Sequence, residues 1–156
     1  MTELTQILTA TVGSLGFGIP FNVRGKRLIA VSAGGGVAWA LYLLFFAMTR
    51  SLGISYFLVS LTLALYGEIM ARVFKCPALL FISPSLIPLV PGASLYYTMS
   101  HALSGEADSF IDSALTTVIA AAALAIGIIV ATIATKLVTK IYGNILEKIK
   151  QKRKNS

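Results

Sequence analysis

Residues 76–99 read CPALLFISPSLIPLVPGASLYYTM, an apolar stretch long enough to cross a membrane yet interrupted by Pro84, Pro88, Pro91 and Gly92. A proline inside a helix offers no N–H to the carbonyl four residues back, and its ring crowds that carbonyl. The three prolines are therefore expected to free the carbonyls of Leu80, Pro84 and Ile87. Ser83, Ile87 and Val90, each preceding a proline, are pushed away from helical geometry. Together these effects predict a discontinuous helix. In hydrocarbon, bare backbone groups survive only where protein covers them or where they line a wet cavity. Secondary transporters build substrate sites from such helices near the bilayer midplane. A kinked helix that only fills a bundle is the other reading the prolines allow.

Composition settles the class. The chain is 56% hydrophobic and 12% charged, with mean hydropathy +0.83, whereas soluble domains carry about 25% charged residues. It is read as an all-α integral membrane protein. The N-terminus MTELTQ has no basic region, and no small-residue cleavage site follows a short apolar core, so no signal peptide is expected. The single cysteine, Cys76, excludes an internal disulfide and a cysteine-based metal cluster. The net charge of +7 does not require nucleic acid, because its distribution has another explanation.

A spanning helix takes about 20 mostly apolar residues, and five stretches qualify: 4–23, 28–48, 54–73, 78–103 and 111–135. The predicted fold thus has five transmembrane helices, the fourth broken by Pro84, Pro88 and Pro91-Gly92. The first is the most polar, carrying Thr5, Gln6, Thr9, Thr11, Ser14 and Asn22. Basic residues collect on the cytoplasmic side of membranes. With the N-terminus outside and the C-terminus in the cytoplasm, twelve of the thirteen Lys and Arg fall inside, and only Arg50 lies outside. Glu3, Glu106, Asp108 and Asp112 then sit at the outer face of the plasma membrane.

Residues 1–135 form the predicted transmembrane domain, and 136–156 a basic cytoplasmic tail. In that tail Ile141, Ile145, Leu146 and Ile149 fall at helical spacing among Lys140, Lys148, Lys150, Lys152, Arg153 and Lys154. Such a segment either touches anionic lipid or remains solvated and sets topology. Ala123, Gly127, Ala131 and Thr135 recur every fourth residue, a small-residue stripe that lets helices approach closely. Gly34, Gly35 and Gly36 do the same for the second span. Ordinary intramolecular packing accounts for each, although five spans leave faces for another chain.

Glu68 and Arg72 are the charges placed well inside a span, four residues apart and on one helix face. An ionisable group at that depth is a functional candidate by default. Proton coupling and a structural ion pair explain the two equally. His101 has no second His or Cys at ligand spacing, so no metal is expected. Ser94 and His101 stand too far apart to act as nucleophile and base, and GGGVAW lacks the lysine and strand of a phosphate loop. No cofactor and no enzymatic activity are expected. After Pro91-Gly92 a new half-helix can start, and its positive end suits an anion such as a metabolite carboxylate. Ser83, Ser85, Ser94, Tyr96 and Tyr97 supply hydroxyls around it.

IPLVPGASLYYTM (87–99) resembles the proline-rich signature of the threonine/serine exporter family in its small membrane-subunit form. GFGIPFNVRGKR (16–27) resembles the end of that subunit's first helix, and Ala71, Arg72 and Pro77 fit the exit of its third. The extra Pro84 and the basic RGKR loop depart from the family pattern. The resemblance implies export of threonine and serine, or of a dicarboxylate such as succinate, driven by the proton gradient. It also implies a larger partner subunit with a soluble N-terminal domain. Carried over by position, Pro88, Pro91, Gly92, Tyr96 and Asn22 become candidate substrate residues, with Ser94 beside them. A non-transporting membrane scaffold or assembly factor would explain the packing glycines and the basic tail, but not three prolines followed by Gly92.

Overall fold

The computed structural model describes the backbone of residues 2–154 and the side chains of residues 2–141. Six helices follow one another: α1 (Glu3–Gly18), α2 (Lys26–Thr49), α3 (Leu52–Phe74), α4 (Leu79–Leu86), α5 (Gly92–Ser104) and α6 (Ala107–Lys154). A 3-10 turn at Ile87–Leu89 joins α4 to α5. The helices α2, α3 and the Ala107–Ile141 part of α6 are each long and apolar enough to cross a membrane. Leu79–Leu89 and Gly92–Ser104 meet the same criterion as a pair bent by 50°. Helix α1 has 16 residues. At 1.5 Å per residue that is about 24 Å, short of the roughly 30 Å hydrocarbon core. Helix α6 is one continuous helix through the predicted end of the last span. The side chains of Ile145, Leu146, Ile149, Lys148, Lys150, Lys152, Arg153 and Lys154 lie outside the described residues.

Helix α2 is the hub, packing on α1, α3 and α4. Its three central glycines explain why. A Cβ on Gly36 would run into the Thr11 side chain, one on Gly35 into Ser14, and one on Gly34 would come within 2.8 Å of both Ser85 Oγ and the Tyr66 ring. Without side chains there, hydroxyls on either side donate across the contact to backbone carbonyls. Ser32 Oγ donates to the Thr11 carbonyl (2.9 Å), Ser85 Oγ to the Val31 carbonyl (2.9 Å) and Tyr66 Oη to the Ala30 carbonyl (2.8 Å). Close backbones and cross-helix hydrogen bonds replace the hydrophobic drive that lipid removes. The small-residue stripe on α6 serves the same purpose against α3, where a Cβ on Gly127 would lie 2.7 Å from the Phe57 carbonyl oxygen. That stripe is intramolecular packing.

The prolines act unequally, which corrects the expected triple break. Pro84 lies inside α4 without ending it, and Ser83 stays helical. Ile87 also keeps helical geometry (φ −54°, ψ −43°), and its carbonyl accepts the Val90 N–H at 3.1 Å, so it is not free. The chain turns only at Val90 (φ −61°, ψ 128°) and Pro91 (φ −74°, ψ 56°). The clash before a proline disfavours the helix without forbidding it. Around Pro84 and Pro88, the fully buried Phe81, Ser85 and Leu89 are held by neighbouring helices and packing wins. Val90 is half-exposed, so nothing opposes the preference imposed by Pro91.

Candidate functional site

Just before the bend, the 3-10 turn borders a cavity of about 360 Å³ lined by Gln6, Thr9, Ala10, Gly13, Trp39, Ile87 and Pro88. Its volume falls within the roughly 300–1,000 Å³ of small-molecule sites. Three elements build it. Helix α1 brings the Gln6–Gly13 face, α2 brings Trp39, and the 3-10 turn brings Ile87 and Pro88. Trp39 Nε1 donates to Gln6 Oε1 at 3.2 Å, which orients the Gln6 amide and leaves its NH₂ to donate elsewhere. The Thr9 hydroxyl is spent on the carbonyl of Thr5. No charged side chain lines this cavity.

Beyond the turn, α5 starts at Gly92 with no side chain capping its first turn. The Gly92 N–H bends back to the Val90 carbonyl at 2.7 Å, and nothing lies within 4 Å of a Cβ built on Gly92. The positive end of α5 is thus open at the bend. The start of α5 is not among the residues that line the cavity.

The predicted substrate residues are not gathered in one place. Pro88 lines the cavity, and Pro91 and Gly92 form the bend beside it. Ser94 belongs to a separate cleft of about 190 Å³ between α5 and α6, with Tyr97, Asp112, Ser113 and Thr116. Tyr96 is 69% exposed on the outer side of α5. Asn22 is exposed in the turn after α1 with φ 57°, a left-handed conformation asparagine tolerates. Gln6, Thr9 and Trp39 line the cavity without being among the substrate residues expected from the sequence. The polarity of the first span carried the signal for Gln6 and Thr9, but for Trp39 only its being the sole tryptophan stands out.

Glu68 and Arg72 line a second cavity, between α3 and α6. They do not form an ion pair. Arg72 Nη2 donates to Thr139 Oγ1 at 2.7 Å. His101 Nδ1 and Glu106 Oε2 are hydrogen-bonded at 2.9 Å where α5 turns into α6.

A family model described as "Threonine/Serine exporter, ThrE" matches residues 6–134. No curated protein and no solved structure matches the chain.

Proposed function

The chain belongs to the threonine/serine exporter family, and from that premise we propose that it is the small membrane subunit of a proton-coupled exporter of threonine, serine or a related carboxylate. Family and apolar helices together make it a multi-pass membrane transporter rather than an enzyme. The observation that carries the finer reading is the uncharged cavity at Gln6, Trp39 and Pro88, with the uncapped start of α5 four residues further along the chain. In this reading the substrate carboxylate meets the N–H groups of Ala93 and Ser94 in the first turn of α5, that of Gly92 being bonded to the Val90 carbonyl, and the ammonium group is held by carbonyls of the interrupted backbone. Pro91 sets the bend. Ser94 and Tyr96, on different faces of α5, and Asn22, in the turn after α1, lie outside this pocket.

The topology that goes with this function has five spans, the 16-residue α1 being a short first span that the bilayer meets by local thinning, N-terminus outside and C-terminus in the cytoplasm, with α4 and α5 together forming a broken fourth span. Residues 136–156 form the cytoplasmic basic tail. Two features support a larger partner subunit with a soluble N-terminal domain. The bend cavity is walled by α1, α2 and the 3-10 turn alone, and α5 buries no residue within this chain. An odd number of spans also leaves an inverted repeat incomplete. Glu68 is the proposed proton carrier, because Arg72 is engaged with Thr139 rather than with its carboxylate.

The test is counterflow in proteoliposomes that contain the chain with its partner, using labelled threonine, serine and succinate. Saturable exchange of at least one of them, lost when Gln6→Leu removes the amide, is the expected result. No exchange of any of the three by an intact complex refutes the proposal.

A further inference from the structure

We propose that the cleft between α3 and α6 holds the headgroup phosphate of an anionic phospholipid, with one acyl chain in the apolar groove that continues from it. The cleft has a volume of about 460 Å³ and is lined by Glu68, Arg72, Thr135, Lys136, Thr139 and Lys140. Lys136 and Lys140 are four apart, so one face of α6 presents both ammonium groups. Arg72 reaches them from α3, its guanidinium steered toward α6 by the hydrogen bond to Thr139. Three cations face one carboxylate, and among the described residues none of the three is in an ion pair. Arg72 stands two residues before the end of α3, where a spanning helix meets the headgroup layer. Basic pockets between helices at that level are suited to anionic headgroups.

A free phosphate would need only this cationic end. The structure adds a groove of about 260 Å³ that shares Glu68, Arg72 and Thr135 with the cleft and runs on along Leu65, Ile69, Ala134 and Val138. Leu65 to Arg72 covers about 10 Å of α3, so the groove leads from the headgroup level toward the apolar interior. Ile69 is 57% and Val138 50% exposed, so the groove is open along its length. A cationic head joined to an apolar channel is complementary to a phospholipid. The proposal does not depend on the transported substrate.

The test uses the full chain in mild detergent, mixed with phosphatidylglycerol or phosphatidylcholine of identical acyl chains and read by native mass spectrometry. Phosphatidylglycerol should be retained at least tenfold over phosphatidylcholine. Lys136→Gln with Lys140→Gln should remove that preference, whereas Arg24→Gln with Lys26→Gln, an equal loss of charge elsewhere, should keep it. Ala134→Phe, which fills the groove, should weaken phosphatidylglycerol retention with the charges intact. Competition on the unaltered chain reads the same point without a substitution: millimolar inorganic phosphate should not displace the lipid. Equal retention of the two lipids, equal loss in both charge variants, or displacement by inorganic phosphate with no effect of Ala134→Phe would each overturn the proposal.

Discussion

Replacing Gly92 by leucine separates a binding role of the bend from a packing role. Gly92 is the first residue of α5, does not have a positive φ, and has nothing within 4 Å of where a Cβ would go. Leucine is therefore accommodated, and its helix propensity exceeds that of glycine by up to about 1 kcal/mol. Folding should be unchanged or slightly improved, with a melting midpoint in detergent raised by no more than about 2–4 °C for a chain of this size. Binding should move the other way. The leucine side chain occupies the open space before α5 and keeps a carboxylate from its first N–H groups. Losing one charge-assisted hydrogen bond costs about 1.5–3 kcal/mol, which is about a 10- to 150-fold loss of affinity. Gly92→Ala, with far less bulk, should lie close to the unaltered protein. The measurement is equilibrium binding of labelled substrate per assembled complex, with melting run in parallel. Full affinity in Gly92→Leu would show that nothing docks at the start of α5. A lowered melting midpoint with normal binding would show that the bend serves packing.

Gly127→Ala should destabilise the protein by about 1–3 kcal/mol, the usual cost of overpacking, because its Cβ would crowd the Ser60 side chain and the Phe57 carbonyl. Gly16→Ala, with open space around it, should not, and the same melting assay compares the two. Glu68→Gln should abolish uphill export while leaving substrate exchange. Uphill export with normal dependence on external pH in that variant would remove Glu68 as the proton carrier. For topology, a reporter active only outside the cell should work when fused near Arg50 or Glu106 and be silent after Gly25, Lys75 or Ser156. Activity at the C-terminal fusion would overturn the five-span arrangement.

Helical, membrane-embedded character was legible in the sequence because it depends on composition summed over long stretches, and lipid leaves such a chain few alternatives to the helix. The packing stripes were legible too, since Gly34 to Gly36 and Ala123 to Ala131 carry their spacing in the chain itself. The fate of each proline was not. Val90-Pro91 breaks the helix and Pro84 does not, because the clash before a proline costs little enough that burial of Phe81 and Ser85 overrides it. That balance depends on which helices lie alongside, and no local pattern reports it. The candidate site divided in the same way. Pro88 and the bend were marked by their own chemistry. Their companions Gln6 and Trp39 come from two other helices and meet only because α1 and α2 run antiparallel over glycines that let them close. The spacing of Glu68 and Arg72 on one face allowed a pair as readily as a coupling site. Tertiary packing set Thr139 within 2.7 Å of the guanidinium and drew it to α6 instead.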